Sequence, residues 1–226
     1  MRRLLFALFL AAAPAAFAQT DAGQKPTVAV LYFSPATTDV ELQAFAKGFA
    51  AIVISDLSTH DEIRVVERER LEDAIKELEL GESRFADKSS FAKVGKMLGA
   101  DYLLVGTIAK AGNTVIIGSF LFRPESTVVQ KGWGKIVVKG DDILSGEDEL
   151  VRKAALSLNE LGVTKKPFEP VKKTFKLPDA TFKSYAKALE AKDKKDKATA
   201  TKLLGEVVKE QPDFKLAQLD LLSLTK

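Results

Sequence analysis

Few side chains here could do chemistry, and nearly all of them are carboxylates. The sequence has no cysteine and a single histidine, His60. Zinc and copper sites draw on several such ligands, so neither metal has its usual set. Ser-His-Asp hydrolysis would have to run through His60, which follows a helical pattern in a polar turn and is expected to be solvated. No Gly-x-Ser-x-Gly elbow supplies a serine, and neither a phosphate loop nor a dinucleotide fingerprint occurs. Glu67, Glu69, Glu72 and Asp73 gather where a strand pattern gives way to a helix. Acids complement the helix dipole there, and Arg68 and Arg70 are interleaved, which reads as a structural charge cluster. A glycosidase needs two converging acids in a cleft with aromatic platforms, and only 8% of the residues are aromatic. Asp141, Asp142, Glu147, Asp148 and Glu149 could bind calcium loosely, but their spacing is no EF-hand. The expectation is therefore no catalytic residue, no metal site, no cofactor and no enzyme.

The elements that position these residues centre on Ile63–Lys110. Ile63–Val66 and Tyr102–Ile108 are apolar runs of buried-strand length. Between them Leu71, Ala74, Ile75 and Leu78 recur at helical spacing, as do Phe91, Val94 and Leu98. Asp87 or Ser89 can cap the second helix, and Gly99 stands where a left-handed stop is wanted. Upstream, Thr27–Phe33 is a near-continuous apolar strand, Ser34–Thr38 a turn, and Thr38 with Glu41 has capping-box spacing. Leu42, Phe45, Phe49, Ile52, Val53 and Leu57 then form a helix face ending before His60. Strand, crossover and strand predict parallel pairing. Downstream, Tyr102–Ala109, Thr114–Phe122 and Val128–Val138 read as hairpin-linked strands, with Gly118, Gly132 and Gly134 marking bulges or close packing. Trp133 is expected to cover a helix. A helix from Gly146 to Leu161 closes residues 26–162. The fold class is α/β (α+β), a mixed five-stranded sheet with packed helices.

Residues 163–178 hold three prolines and five lysines without sustained periodicity, which predicts an exposed, semi-extended linker. Residues 179–226 form a small all-α segment. Thr181–Gln211 resembles one tetratricopeptide repeat: Ala188, Ala200, Leu204 and Pro212 fall at its small, small, large and proline positions. Ser184 and Val207 depart from that pattern. A third helix over Asp213–Leu224 would cover the hairpin. One repeat buries little, so the segment must dock on the front domain or on another chain.

The run Val65–Leu71 followed by Val94–Ile108 resembles the curli-assembly CsgG family, and its relatives the FlgO-type proteins and the amino-terminal domain of TolB. The resemblance spans roughly Pro26 to Gly162. It implies a periplasmic or outer-membrane-associated α/β domain that binds or assembles other proteins. Arg2 and Arg3, the apolar run Leu4–Ala13, and the small residues Ala16 and Ala18 read as a signal peptide over residues 1–18, with cleavage expected before Gln19. Without cysteine no lipoprotein lipid can be attached, unlike the curli channel's subunits. The strand patterns do not alternate cleanly enough for transmembrane hairpins, so stable membrane insertion is not expected. Residues 19–162 carry 17 basic and 22 acidic residues, and residues 163–226 carry 15 and 9. An acidic front and a basic tail should attract. Lysines interleaved with acids do not suggest nucleic acid. The expected protein is an exported adaptor with a protein partner in the cell envelope and possible homo-oligomers. The alternatives are a ring-forming secretion-channel subunit and a regulator of peptidoglycan synthases.

Overall fold

The computed structural model describes residues 24–78, 88–139 and 142–225. The signal-peptide reading, the Asp87 cap and Asp141 lie outside these residues. Among the described residues six strands form one open mixed sheet in the order β3-β1-β4-β5-β6, with β2 pairing beside β4. Strand β1 (Thr27–Val30) is parallel to both β3 (Arg64–Val65) and β4 (Tyr102–Ala111). The crossover between β1 and β3 is α1 (Val40–Leu57), as the apolar spacing predicts. Helices α2 (Arg68–Glu77) and α3 (Lys88–Leu98) lie between β3 and β4. Strands β5 (Thr114–Arg123) and β6 (Val128–Lys139) then continue antiparallel.

Two local readings are corrected. Ser34–Pro35 is a sixth strand, β2, parallel to Thr107–Ile108, rather than part of a turn. A strand of two residues has no period to read. Helix α1 is capped by Asp39, whose carboxylate accepts from the Glu41 amide at 2.9 Å, and not by Thr38. Either residue can cap; the extended backbone at Asp39 decides between them.

Alternation along β5 fixes the layers. Val115, Ile117 and Leu121 are buried on the face covered by α1 and α4 (Ile143–Glu160). On the other face α3 covers one end, where Phe91 stacks edge-on against Phe120 and Phe122 at 5.9 and 5.6 Å. Close approach explains two glycines. A Cβ at Gly106 would collide with the Phe33 ring and the Gly118 carbonyl, and one at Gly95 with Pro124. Trp133 covers a helix as expected, its indole N–H donating to Ser157 Oγ of α4 at 3.1 Å.

The tail folds as α5 (Asp179–Asp193), α6 (Lys197–Glu210) and α7 (Lys215–Thr225). It docks on α1: Phe45 and Phe182 meet edge-on at 4.5 Å, and Gly48 lets Ala186 and Phe182 approach to near 3 Å of where its Cβ would be. Phe182, Tyr185, Leu189 and Leu204 thus share one continuous core with Phe45 and Phe49. Residues 163–178 contain no helix or strand, but they are not a freely solvated spacer. Leu177 is buried in that core, and Phe168 packs on its rim. The apolar residues scattered between the lysines have no period, which is why the pattern conceals them.

Candidate protein-interaction surface

Four of the acids singled out by sequence, Glu69, Glu72, Glu147 and Asp148, enter two largely buried ion clusters that hold the molecule together. The first joins α1 and α2 to the tail. Asp193, at the end of α5, accepts from Arg68 at 2.6 Å and from Lys47 at 2.9 Å. Lys47 also pairs with Glu72 at 2.8 Å, and Lys192 bridges Glu69 and Asp220 at 3.0 and 2.8 Å. Burial opposes ionisation of Glu72, but the Lys47 ammonium beside it wins and holds its carboxyl below the usual range. Burial pushes the Tyr32 and Tyr185 hydroxyls well up, and Tyr185 donates to Asp220 at 2.9 Å. Neutral phenols and paired ions do not make a nucleophile or a free base.

The second cluster clips residues 163–178 to the front domain. Lys173 Nζ lies 2.5, 2.7 and 2.8 Å from Glu147, Asp56 and Asp148. The oxygens of these three acids converge within 4.8 Å, a set that could hold a hard cation. An ammonium group already fills that role. One lysine does not offset three acids: burial first, and then Asp56, push the Glu147 carboxyl well up, and burial likewise raises Asp56. Sequence reading placed Glu147 and Asp148 in one acidic group but missed Asp56 and Lys173, which lie on other elements. Asp142 stands at the N-cap position of α4, and its side chain makes no cap bond. Glu149 pairs with Lys153 instead of joining the cluster.

His60 is buried, which corrects the expectation of a solvated residue. Its ring lies 5.4 Å from Phe168, and its Nδ1 accepts from the Glu62 amide at 3.2 Å. The segment that covers it follows more than a hundred residues later in the chain, beyond the reach of any local pattern. Glu67 lines an open, mixed polar and apolar cavity of about 570 Å³ beside β3, with Arg64, Lys25 and Ser58.

What stays unsatisfied is a surface. Strand β6 is an edge of the sheet and runs for 12 residues. Val128 is 49% exposed and Val137 59%. Val137 pairs with half-buried Ile116, and Thr107 on the same face is exposed. Among the described residues no helix packs over this end of the face. Antiparallel sheets tolerate one wet face; here exposed valines lie on an edge that pairs with no other strand among the described residues.

Residues 11–119 match the family described as "Curli production assembly/transport component CsgG". The front domain is similar to that family over the matched stretch, which is a little under half of the chain. The likeness on Val65–Leu71 and Val94–Ile108 falls inside the matched stretch. Solved structures resembling this fold include Escherichia coli LpoB, at 18% identity and a TM-score of 0.42 over 52% of this chain and 59% of that one. Lipoprotein GNA1162 of Neisseria meningitidis resembles it at 18% and 0.42, covering 50% of this chain and 79% of that one. TolB of Acinetobacter baumannii does so at 14% and 0.43, covering 64% and 30%. A curated protein named "Putative adenylate cyclase 3", from Rhizobium meliloti (strain 1021), is 30% identical over 132 residues, 57% of this chain. The aligned stretch is 20% of that protein's length, so its name describes a much larger molecule. Among the described residues no helix is long and apolar enough to cross a membrane.

Proposed function

We propose that this protein is a non-enzymatic adaptor of the cell envelope, exported to the periplasm and acting by binding other proteins. The observation that carries the reading is the CsgG match over residues 11–119, a family described by assembly and transport. The fate of the charged side chains supports it. The acids that converge do so on Lys47, Arg68, Lys173 and Lys192 rather than around a cleft. The tail, read as a single tetratricopeptide-like repeat, braces the front domain through α1 and, among the described residues, leaves the outer edge of β6 without a neighbouring strand. The decisive experiment is capture with an affinity-tagged chain, crosslinked in intact cells and recovered from the envelope fraction. A specific protein partner is expected; recovery of the chain alone would reject the adaptor role.

A second reading, a ring-forming transport subunit, is favoured by the same family description. Light scattering with and without mild detergent separates the two. The adaptor is expected as a small species indifferent to detergent, and a ring-sized assembly would select the transport subunit.

A further inference from the structure

The edge strand β6 is chemically one-sided. It carries Lys131, Lys135 and Lys139 and no acid over its 12 residues. Lys131 is met by Glu160 of α4 at 2.7 Å. Lys135 and Lys139 are exposed, and among the described residues neither makes an ion pair. Exposed Val137 stands between them.

Register narrows where a strand could be added. Gly134 and Lys135 together oppose Gly118, and Gln130 is an extra residue opposite the Leu121–Phe122 step. These bulges interrupt the ladder, so the free edge is divided. The longest regular stretch is Ile136–Lys139, paired without a break to Thr114–Ile117. Ile136 is buried under α4's face while Val137 is open, so Val137 and Lys139 point away from α4.

We propose that the Lys135–Lys139 edge receives an extended acidic segment of a partner protein by strand addition. Main-chain bonds to this edge, which no described strand occupies, would supply affinity, and alternate side chains would supply specificity. The fitting segment places an apolar residue beside Val137 and acids beside Lys135 and Lys139. A second copy of this chain fits poorly, because its own β6 brings three more lysines and no acid. Lysines and bulges of this kind guard natural edges against self-pairing, and opposite charge lifts that guard for one class of partner.

The proposal rests on the adaptor reading but is tested apart from it. The probe is a labelled short peptide alternating glutamate and valine, with a lysine–valine peptide as control, titrated into the full chain by fluorescence anisotropy and amide shift mapping. The acidic peptide is expected to shift amides of Lys135–Lys139 and to bind about tenfold tighter than the control. The double substitution Lys135→Glu with Lys139→Glu is expected to reverse that order. Equal binding, no binding, or shifts confined elsewhere would overturn it. So would self-association that broadens the β6 amides, or phosphatidylglycerol vesicles shifting those amides while the peptide does not. The mapping uses the unmodified chain, so a poorly folding variant does not blunt the test. If an envelope partner is captured equally well by the double variant, the adaptor role stands and the edge proposal fails. If no partner is captured but the peptide binds β6, the reverse holds.

Discussion

Asp193 joins two cations from different helices of the front domain, Arg68 and Lys47, and all three side chains are largely buried. Removing one member of such a group leaves charge uncompensated in a poor solvent. Asp193→Ala is expected to cost about 3 kcal/mol or more in a urea unfolding series, well above the effect of removing an exposed pair such as Arg123–Glu125. Glu147 behaves in the opposite sense. Burial raises its carboxyl above the ordinary range, so folding favours its protonated form. That contribution is complete at acid pH and is lost as pH rises through the folded value. Glu147→Gln is therefore expected to raise the melting temperature relative to the unsubstituted chain at pH 7, with the gain vanishing towards pH 4. Glu72 is held down by Lys47 and works the other way: its stabilisation is present at neutral pH and fades as pH falls below the usual carboxylate range. Thermal melts of Glu147→Gln and Glu72→Gln across that window separate the two signs, and parallel profiles would refute both assignments.

At the scale of elements, α1 is the part on which everything else is mounted. One side faces the sheet, with Phe49 edge-on to Phe33 at 5.1 Å, and another receives α5 at Phe45 and Gly48. A helix used on two sides needs a small residue where a second helix comes close, and Gly48 meets that need at some cost in helix propensity. Gly48→Leu has no room beside Ala186 and Phe182. It is expected to destabilise the fold by about 1–3 kcal/mol and to speed proteolysis within residues 163–178, while the sheet's circular dichroism persists. Unchanged cleavage kinetics would show that the α1–α5 contact is not what holds the tail.

For the whole molecule, the tail and the front domain share a core and exchange charge in both directions. Lys192–Glu69, Lys183–Glu41 and the Lys173 cluster follow the expected attraction of a basic tail for an acidic front. Lys47–Asp193, Arg68–Asp193 and Lys110–Asp179 run against it. Net charge is thus a poor guide to which pairs form, because desolvated contacts at 2.6–2.9 Å outweigh the screened long-range field. The shared core predicts one cooperative thermal transition for residues 19–226, seen alike by circular dichroism and by Trp133 fluorescence. Ending the chain at Pro178 would expose Phe45 and the Gly48 face and is expected to lower that transition or cause aggregation. A shortened chain melting at the full-length temperature would establish an independent front domain.

Much of this architecture is written locally. The 3.6-residue spacing of Phe45, Phe49 and Ile52, the runs at Thr27 and Tyr102, and the turns between Ala111 and Val128 are short-range patterns, and they predicted the parallel β1–β3 unit, the hairpins and the tail helices. The paired blocks at Val65–Leu71 and Val94–Ile108 carried the family resemblance for the same reason. Tertiary structure decided what depends on residues far apart in sequence. Lys173 looks like a solvated linker lysine until Asp56 and Glu147 close around it, and His60 looks exposed until Phe168 covers it. The two-residue β2 exists because β4 offers it an open ladder. The free edge of β6 was equally invisible, since strand order, and not the strand's own residues, determines which ladder is left without a neighbour.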